Sequence, residues 1–200
     1  MDALTSIFSR RSMGFLVEPG PDLAELRTMI TAAVHAPDHG RCRPWRFIVL
    51  RGENKDAFGL VFEKAYLARC ESHHEKPNPD KQLRERTKLA RAPVVVIVIC
   101  RPRQCDKIPH SEQRAAVAAA TQNLLLAATA LSYGSMWRTG HAAFDSTVKE
   151  SLGLGAEDSI EAFVYLGTVP DAARSSPPRD TSINNVLEAW PSILISPANS

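Results

Sequence analysis

Val94-Val95-Val96-Ile97-Val98-Ile99-Cys100, opened by Pro93, is the stretch on which the fold turns. Its residues are apolar, mostly β-branched and without alternation, which predicts a strand covered on both faces. Twelve positions on, Glu112 to Ser132 reads as one long helix with Ala and Leu on nearly all sides, capped by Gly134. A helix wet on one face has no need of so much apolar surface, so it is expected to run through the core or along a subunit interface.

Working outward, Leu4, Ile7 and Phe8 follow helical spacing and lead to Arg10-Arg11. Pro19-Gly20-Pro21 breaks the chain. A second helix follows, with the apolar stripe Leu23, Leu26, Ile30, Ala33 and Val34, and stops near Ala36-Pro37. Phe47 to Leu50 is a short strand, and Asn54 to Cys70 a helix with Phe58, Val61, Phe62, Ala65 and Tyr66 on one side. Glu71 to Asp80 reads as an exposed loop, Lys81 to Ala90 as a charged helix and Arg101 to Ser111 as a polar loop. Downstream, Met136 to Arg138 is a strand, Asp145 starts a helix that Gly153 and Gly155 end, and Ile160 to Gly167 is a further strand. From 171 to 200 the chain turns to Ser, Pro and Asn with scattered apolar residues, the pattern of an arm that docks on an apolar surface such as a partner subunit. Helices around a small mixed or antiparallel sheet make an α+β fold, and a chain of 200 residues is expected to form a single domain.

Composition narrows the function classes. The chain is 44% apolar and 23% charged, as globular proteins are, with 24 Lys and Arg against 22 Asp and Glu. A net charge of +2 argues against a nucleic-acid binder. No basic n-region with an apolar h-region opens the chain, and the longest apolar stretch carries Thr121, Gln122 and Asn123, so neither a secretion signal nor a membrane span is expected. Cys42, Cys70, Cys100 and Cys105 form no CxxC pair and read as reduced thiols, which suits a cytoplasmic location.

Four clusters carry candidate chemistry. Arg10-Arg11-Ser12 can fork onto phosphate oxygens, or can be cations at the negative end of a helix dipole. Ala36 to Arg46 gathers His39, Arg41, Arg43, Pro44, Trp45 and Arg46 between a helix and a strand. That is a binding loop, a structural turn, or a patch for single-stranded nucleic acid. Tyr133 to Gly140 places Arg138 beside two glycines that permit close approach of a ligand, while the bland reading makes Gly134 a cap and Trp137 a core filler. His73-His74-Glu75, with His110 and Glu112, lacks metal-ligand spacing and reads as solvated. GxGxxG, P-loop and GxSxG motifs are missing from the sequence.

Taken in order, Arg10-Arg11-Ser12, Ala36-Pro37-Asp38-His39, Pro44-Trp45, Ala92-Pro93, the apolar helix ending in Gly134, Trp137-Arg138 and Tyr165-Leu166-Gly167-Thr168 resemble the nitroreductase family, and its short members in particular. The resemblance implies an interlocked homodimer with two FMN sites at the subunit interface. It places FMN phosphate and ribityl oxygens on Arg10, Arg11 and Ser12, and a second flavin contact on Trp137, Arg138 and Thr139. His35 and His39 would reach the flavin from the other subunit, and Pro44-Trp45 would wall the isoalloxazine. NADH or NADPH would deliver hydride to flavin N5 and leave, after which a nitroaromatic or quinone enters the same cleft, a ping-pong cycle. No catalytic side chain and no metal is implied, because the flavin performs the redox chemistry. Two departures from the family pattern stand out. Gly14 and Phe15 replace a basic residue that approaches the flavin's pyrimidine edge, and Arg43 replaces a Gln before Pro44-Trp45. The exchange suggests that Arg43 supplies the missing cation. The alternative is a non-catalytic or weakly active FMN-binding dimer.

Overall fold

The computed structural model describes residues 1–105, 107–173, 186 and 187. Val94–Cys100 is strand β2, bonded on one side to β1 (Trp45–Arg51) and on the other to β4 (Ser159–Gly167), with β3 (Gly134–Arg138) outermost. Every pairing is antiparallel, with Ile48 opposite Ile97, Ile97 opposite Phe163 and Met136 opposite Tyr165. A sheet of mixed direction, one of the two arrangements expected, is therefore not what forms. Strands β2 and β3 run in the same direction with β4 between them, and α5 carries the chain back along the sheet from one to the other.

The described residues form six α-helices around the sheet: α1 (Ala3–Ser9), α2 (Leu23–Ala33), α3 (Gly52–Ser72), α4 (Pro79–Arg86), α5 (His110–Ala130) and α6 (Ser146–Ser151). Val95, Ile97 and Ile99 point to a core shared with Phe58, Phe62 and Ala65 of α3. Val94, Val96, Val98 and Cys100 point to the opposite core, made with α2 and α5. The Val and Ile side chains of β2 are at most 1% exposed. Each stabilises the fold by roughly 1.5–3 kcal/mol relative to exposure. The two-sided cover expected of this strand is present.

Several local readings need correction. Of the stripe read on α2, Leu26 and Ala33 are buried, joined by Met29, while Leu23 is 62% exposed. On α1 the buried residue is Ser6, and Leu4, Ile7 and Phe8 face outward. Gly134 does not cap α5. The left-handed residue there is Ser132, at φ 67°, and Gly134 begins β3. It is glycine because a Cβ would stand 2.4 Å from Leu16 Cδ2 and 2.6 Å from Val169 Cγ2. Pro79 and Asp80 are helical and not loop, since proline suits the first turn and Asn78 caps it through the Lys81 N–H. The expected arm at 171–200 lies outside the described residues except for 171–173, 186 and 187.

Candidate functional site

Asp2 caps α1 by accepting from the Thr5 N–H, and the helix ends at Ser9. The chain then runs along the free edge of β3. Ser12 forms a parallel bridge with Ser135, and the Met13 N–H donates to the Ser135 carbonyl at 3.0 Å. This lays Arg10, Arg11 and Ser12 against the strand that carries Trp137 and Arg138. Arg11 takes on the helix-end role, donating to the Phe8 carbonyl at 2.6 Å, while Arg10 Nη1 lies 3.5 Å from Ser12 Oγ. Both arginines line a cavity of about 190 Å3 with Ser9, Ser132 and Tyr133.

Arg138 and Thr139 line a second cavity, of about 240 Å3, with Lys88, His141, Phe163 and Tyr165. Burial pushes the Tyr165 phenol up to about 12, so it stays a neutral donor. Arg138 also closes over the first segment: a Cβ at Gly14 would lie 3.8 Å from Arg138 Nη2. Trp137 is half-buried against the α5 side and donates to the Glu161 carbonyl at 3.0 Å, so it fills core as well as bordering the edge. The two guanidinium segments expected to converge are thus neighbours along β3, although Arg10 and Arg138 line different cavities.

His35, His39 and Arg43 lie elsewhere. His35 Nδ1 donates to the Thr31 carbonyl at 2.7 Å, and His39 Nδ1 lies 2.6 Å from Glu112 Oε2 in the first turn of α5. Arg43 donates its backbone N–H to Asp38 Oδ2 at 2.7 Å, and its side chain is exposed. Their loop is strained: Arg41 and Arg43 have φ of 54° and 49°, left-handed values that non-glycine residues seldom hold. Gly40, at φ 68°, has no room for a side chain, since a Cβ would meet Ile108 Cδ1 at 2.0 Å. Backbone held in this way is found where a loop must present particular groups.

Helix α5 measures the separation between the two groups. His39 is tied to Glu112 at its start, whereas the Arg10 cavity includes Thr129 at its end. Seventeen residues of α-helix span roughly 25 Å. Within one chain, Arg10 and Arg11 therefore lie far from His39.

Three participants were not legible in the sequence. Glu112 orients His39 from 73 positions away. The Ser135 hydroxyl, on a residue 1% exposed and beside Ser12, has no hydrogen-bond partner among the described residues. Tyr133 donates to Glu25 Oε2 at 2.7 Å, and this bond, with partial burial, pushes its phenol up to about 12. Tyr133 and Ser135 fall in the segment read as a candidate ligand contact and Glu112 among the residues read as solvated, but the sequence announces none of their partners. Glu112 and His110, read as solvated, are exposed, Glu112 lying 2.6 Å from His39 and His110 3.2 Å from Glu157. No group of three or more His, Cys, Asp or Glu side chains with metal-holding geometry occurs among the described residues.

A four-stranded antiparallel sheet between α3 on one face and α2 with α5 on the other, with a basic segment along its edge strand, is the layout of the nitroreductase-like fold. A nitroreductase-like family protein from Bacillus cereus superposes with a TM-score of 0.77 at 21% identity, covering 96% of this chain and 97% of its own. A nitroreductase with bound FMN from Bacteroides fragilis superposes with a TM-score of 0.69 at 21% identity, over 94% of this chain and 97% of its own. In sequence, residues 7–168 match the nitroreductase family. YdjA of Escherichia coli K12, named as an NAD(P)H nitroreductase, is 33% identical over 169 residues, 84% of this chain and 88% of that protein. A Haemophilus influenzae protein named likewise is 31% identical over 170 residues, 84% and 89% of the two chains. The chain belongs to the nitroreductase family.

Proposed function

We propose that this protein is an FMN-dependent NAD(P)H oxidoreductase that works as a homodimer in the cytoplasm and reduces electron-poor small molecules, nitroaromatics or quinones. The observation that carries the reading is the division of the candidate residues between the two ends of α5. Neither cavity, at about 190 and 240 Å3, reaches the roughly 300–1,000 Å3 of a small-molecule site, so a mononucleotide needs walls from a second chain. The outward-facing Leu4, Ile7 and Phe8 of α1, 44% to 69% exposed, supply apolar surface for that contact.

The residues suit the cofactor. Two guanidiniums beside the Ser12 hydroxyl match a phosphate and a polyol. When bound, FMN supplies a flavin N5 that accepts hydride from NADH or NADPH and passes it to the second substrate in a ping-pong cycle. The chain's own part is to bind and to orient. Arg10, Arg11 and Ser12 hold the phosphate and ribityl end, and Trp137, Arg138 and Thr139 border the ring from the same chain. His39, its Nδ1 held by Glu112, and His35 would reach the partner's flavin, and Arg43 would add positive charge there. Pro44 and Trp45, at the start of β1, wall the cleft. The protein needs no nucleophile of its own.

A purified protein of this kind is yellow, releases FMN on denaturation and is bleached by NADH or NADPH. Absence of flavin after reconstitution overturns the reading. Bound FMN that neither nicotinamide bleaches selects the non-catalytic FMN-binding dimer, which the uncharged Gly14 and Phe15 favour.

A further inference from the structure

We propose that Cys42 and Cys105 form a modification site, a dithiol that hydrogen peroxide closes into a disulfide joining the His39 loop to the segment before α5. The inference goes beyond the proposed reductase activity and does not require it. The two sulfurs are 3.0 Å apart, across 63 positions of sequence. A disulfide needs about 2.05 Å, so closure asks for roughly 1 Å of approach, within reach of small side-chain rotations.

Both backbones are already held at that separation. On one side, left-handed Arg41 and Arg43 flank Cys42, and the Arg43 N–H is tied to Asp38 Oδ2. On the other, the buried Gln113 side chain clamps Arg103, accepting from its N–H and donating to its carbonyl, each at 2.9 Å. The Ile108 N–H donates to the Cys105 carbonyl at 2.9 Å, and Ile108 fills the space beside Gly40. Cys70 and Cys100 are buried and have no cysteine partner among the described residues.

The two thiols are unequal, which sets the order of events. Cys42 is 3% exposed, and its bond to Cys105, with burial, pushes its thiol up to about 11, so it keeps its proton at neutral pH. Cys105 is partly exposed and meets the oxidant first. Its thiolate attacks one peroxide oxygen, the O–O bond breaks and hydroxide leaves, giving a sulfenic acid. The Cys42 sulfur then attacks the Cys105 sulfur, the S–O bond breaks, and water leaves with the Cys42 proton. Two thiols and one peroxide become one disulfide and two waters, with two electrons passing from sulfur to oxygen. The staple closes a long loop and holds the strained segment that carries His39 and Arg43.

The test treats the reduced full chain with a few equivalents of hydrogen peroxide and maps it by non-reducing tryptic digestion. The expected product links peptide 42–46 to peptide 104–107. Two of the four thiols disappear on titration in denaturant, dithiothreitol restores them, and the oxidised form melts several degrees higher. Cys42→Ser abolishes the linked peptides and lets Cys105 oxidise on to the sulfinic acid. An unchanged thiol count, a Cys105–Cys105 link between chains, or a link through Cys70 or Cys100 overturns the proposal. The wild-type map decides it even if the variant does not fold.

Discussion

The Met13 N–H donates to the Ser135 carbonyl at 3.0 Å, and through this bond a segment from the start of the chain becomes part of the edge of a sheet more than a hundred residues away. Arg10, Arg11 and Ser12 owe their place beside Trp137 and Arg138 to it. The same edge leaves the Ser135 hydroxyl buried, with no hydrogen-bond partner among the described residues.

A site shared between chains makes a sharp prediction. Arg10→Ala and His39→Ala are each expected to weaken FMN retention at least about tenfold, the effect of losing one charge-assisted hydrogen bond. A mixed dimer of the two variants regains one intact site, because its Arg10 and His39 come from different chains. FMN stoichiometry of the isolated mixed dimer measures this. No recovery means that each site lies within one chain.

Arg43→Gln tests the exchange of charge with Gly14 and Phe15. A cation near the flavin favours the anionic reduced form, so the variant's midpoint potential falls, by about 30 mV for each tenfold loss in preference for that form. Redox titration against reference dyes reads the change. An unaltered potential removes Arg43 from the flavin's surroundings.

Gly134→Ala and Gly14→Ala separate packing from position. At Gly134 the new methyl collides with Leu16 and Val169, and the strain is expected to cost about 1–3 kcal/mol by denaturant unfolding. At Gly14 the nearest atoms are 3.8 and 3.9 Å away, so stability stays at the wild-type value.

Asp145 carries two tasks at once. Its side chain is 7% exposed, pairs with Arg69, and caps α6 by accepting from the Thr147 and Val148 N–H groups. Asp145→Ala leaves Arg69 half-buried without that partner and uncaps the helix. A loss of about 3 kcal/mol is expected in chemical denaturation.

Alkaline titration probes the Tyr133–Glu25 bond. The folded phenol titrates at about 12 and an unfolded tyrosine near 10, so the native state holds this proton more tightly. The stability this contributes is complete below pH 10 and is lost as pH rises through about 12. Tyr133→Phe flattens the slope between those values, at a cost of about 1 kcal/mol at neutral pH.

What could be read along the chain was whatever depends on neighbours. The four strands, the two-sided burial of Val94–Cys100, the long apolar helix and the positions of Arg10-Arg11-Ser12 and Trp137-Arg138 all announce themselves in runs, periods and turn residues. Such signals are local because backbone preference and side-chain period act within a few residues. Folding alone settled the pairings across distance: Ser12 with Ser135, His39 with Glu112, Cys42 with Cys105. It also selected Leu26, Met29 and Ala33 over Leu23, Ile30 and Val34 as the inner face of α2, and turned Gly134 from an apparent cap into a point of close contact. These choices depend on which surfaces meet, and when several apolar stripes or several cations are available, only the packing of distant segments decides among them.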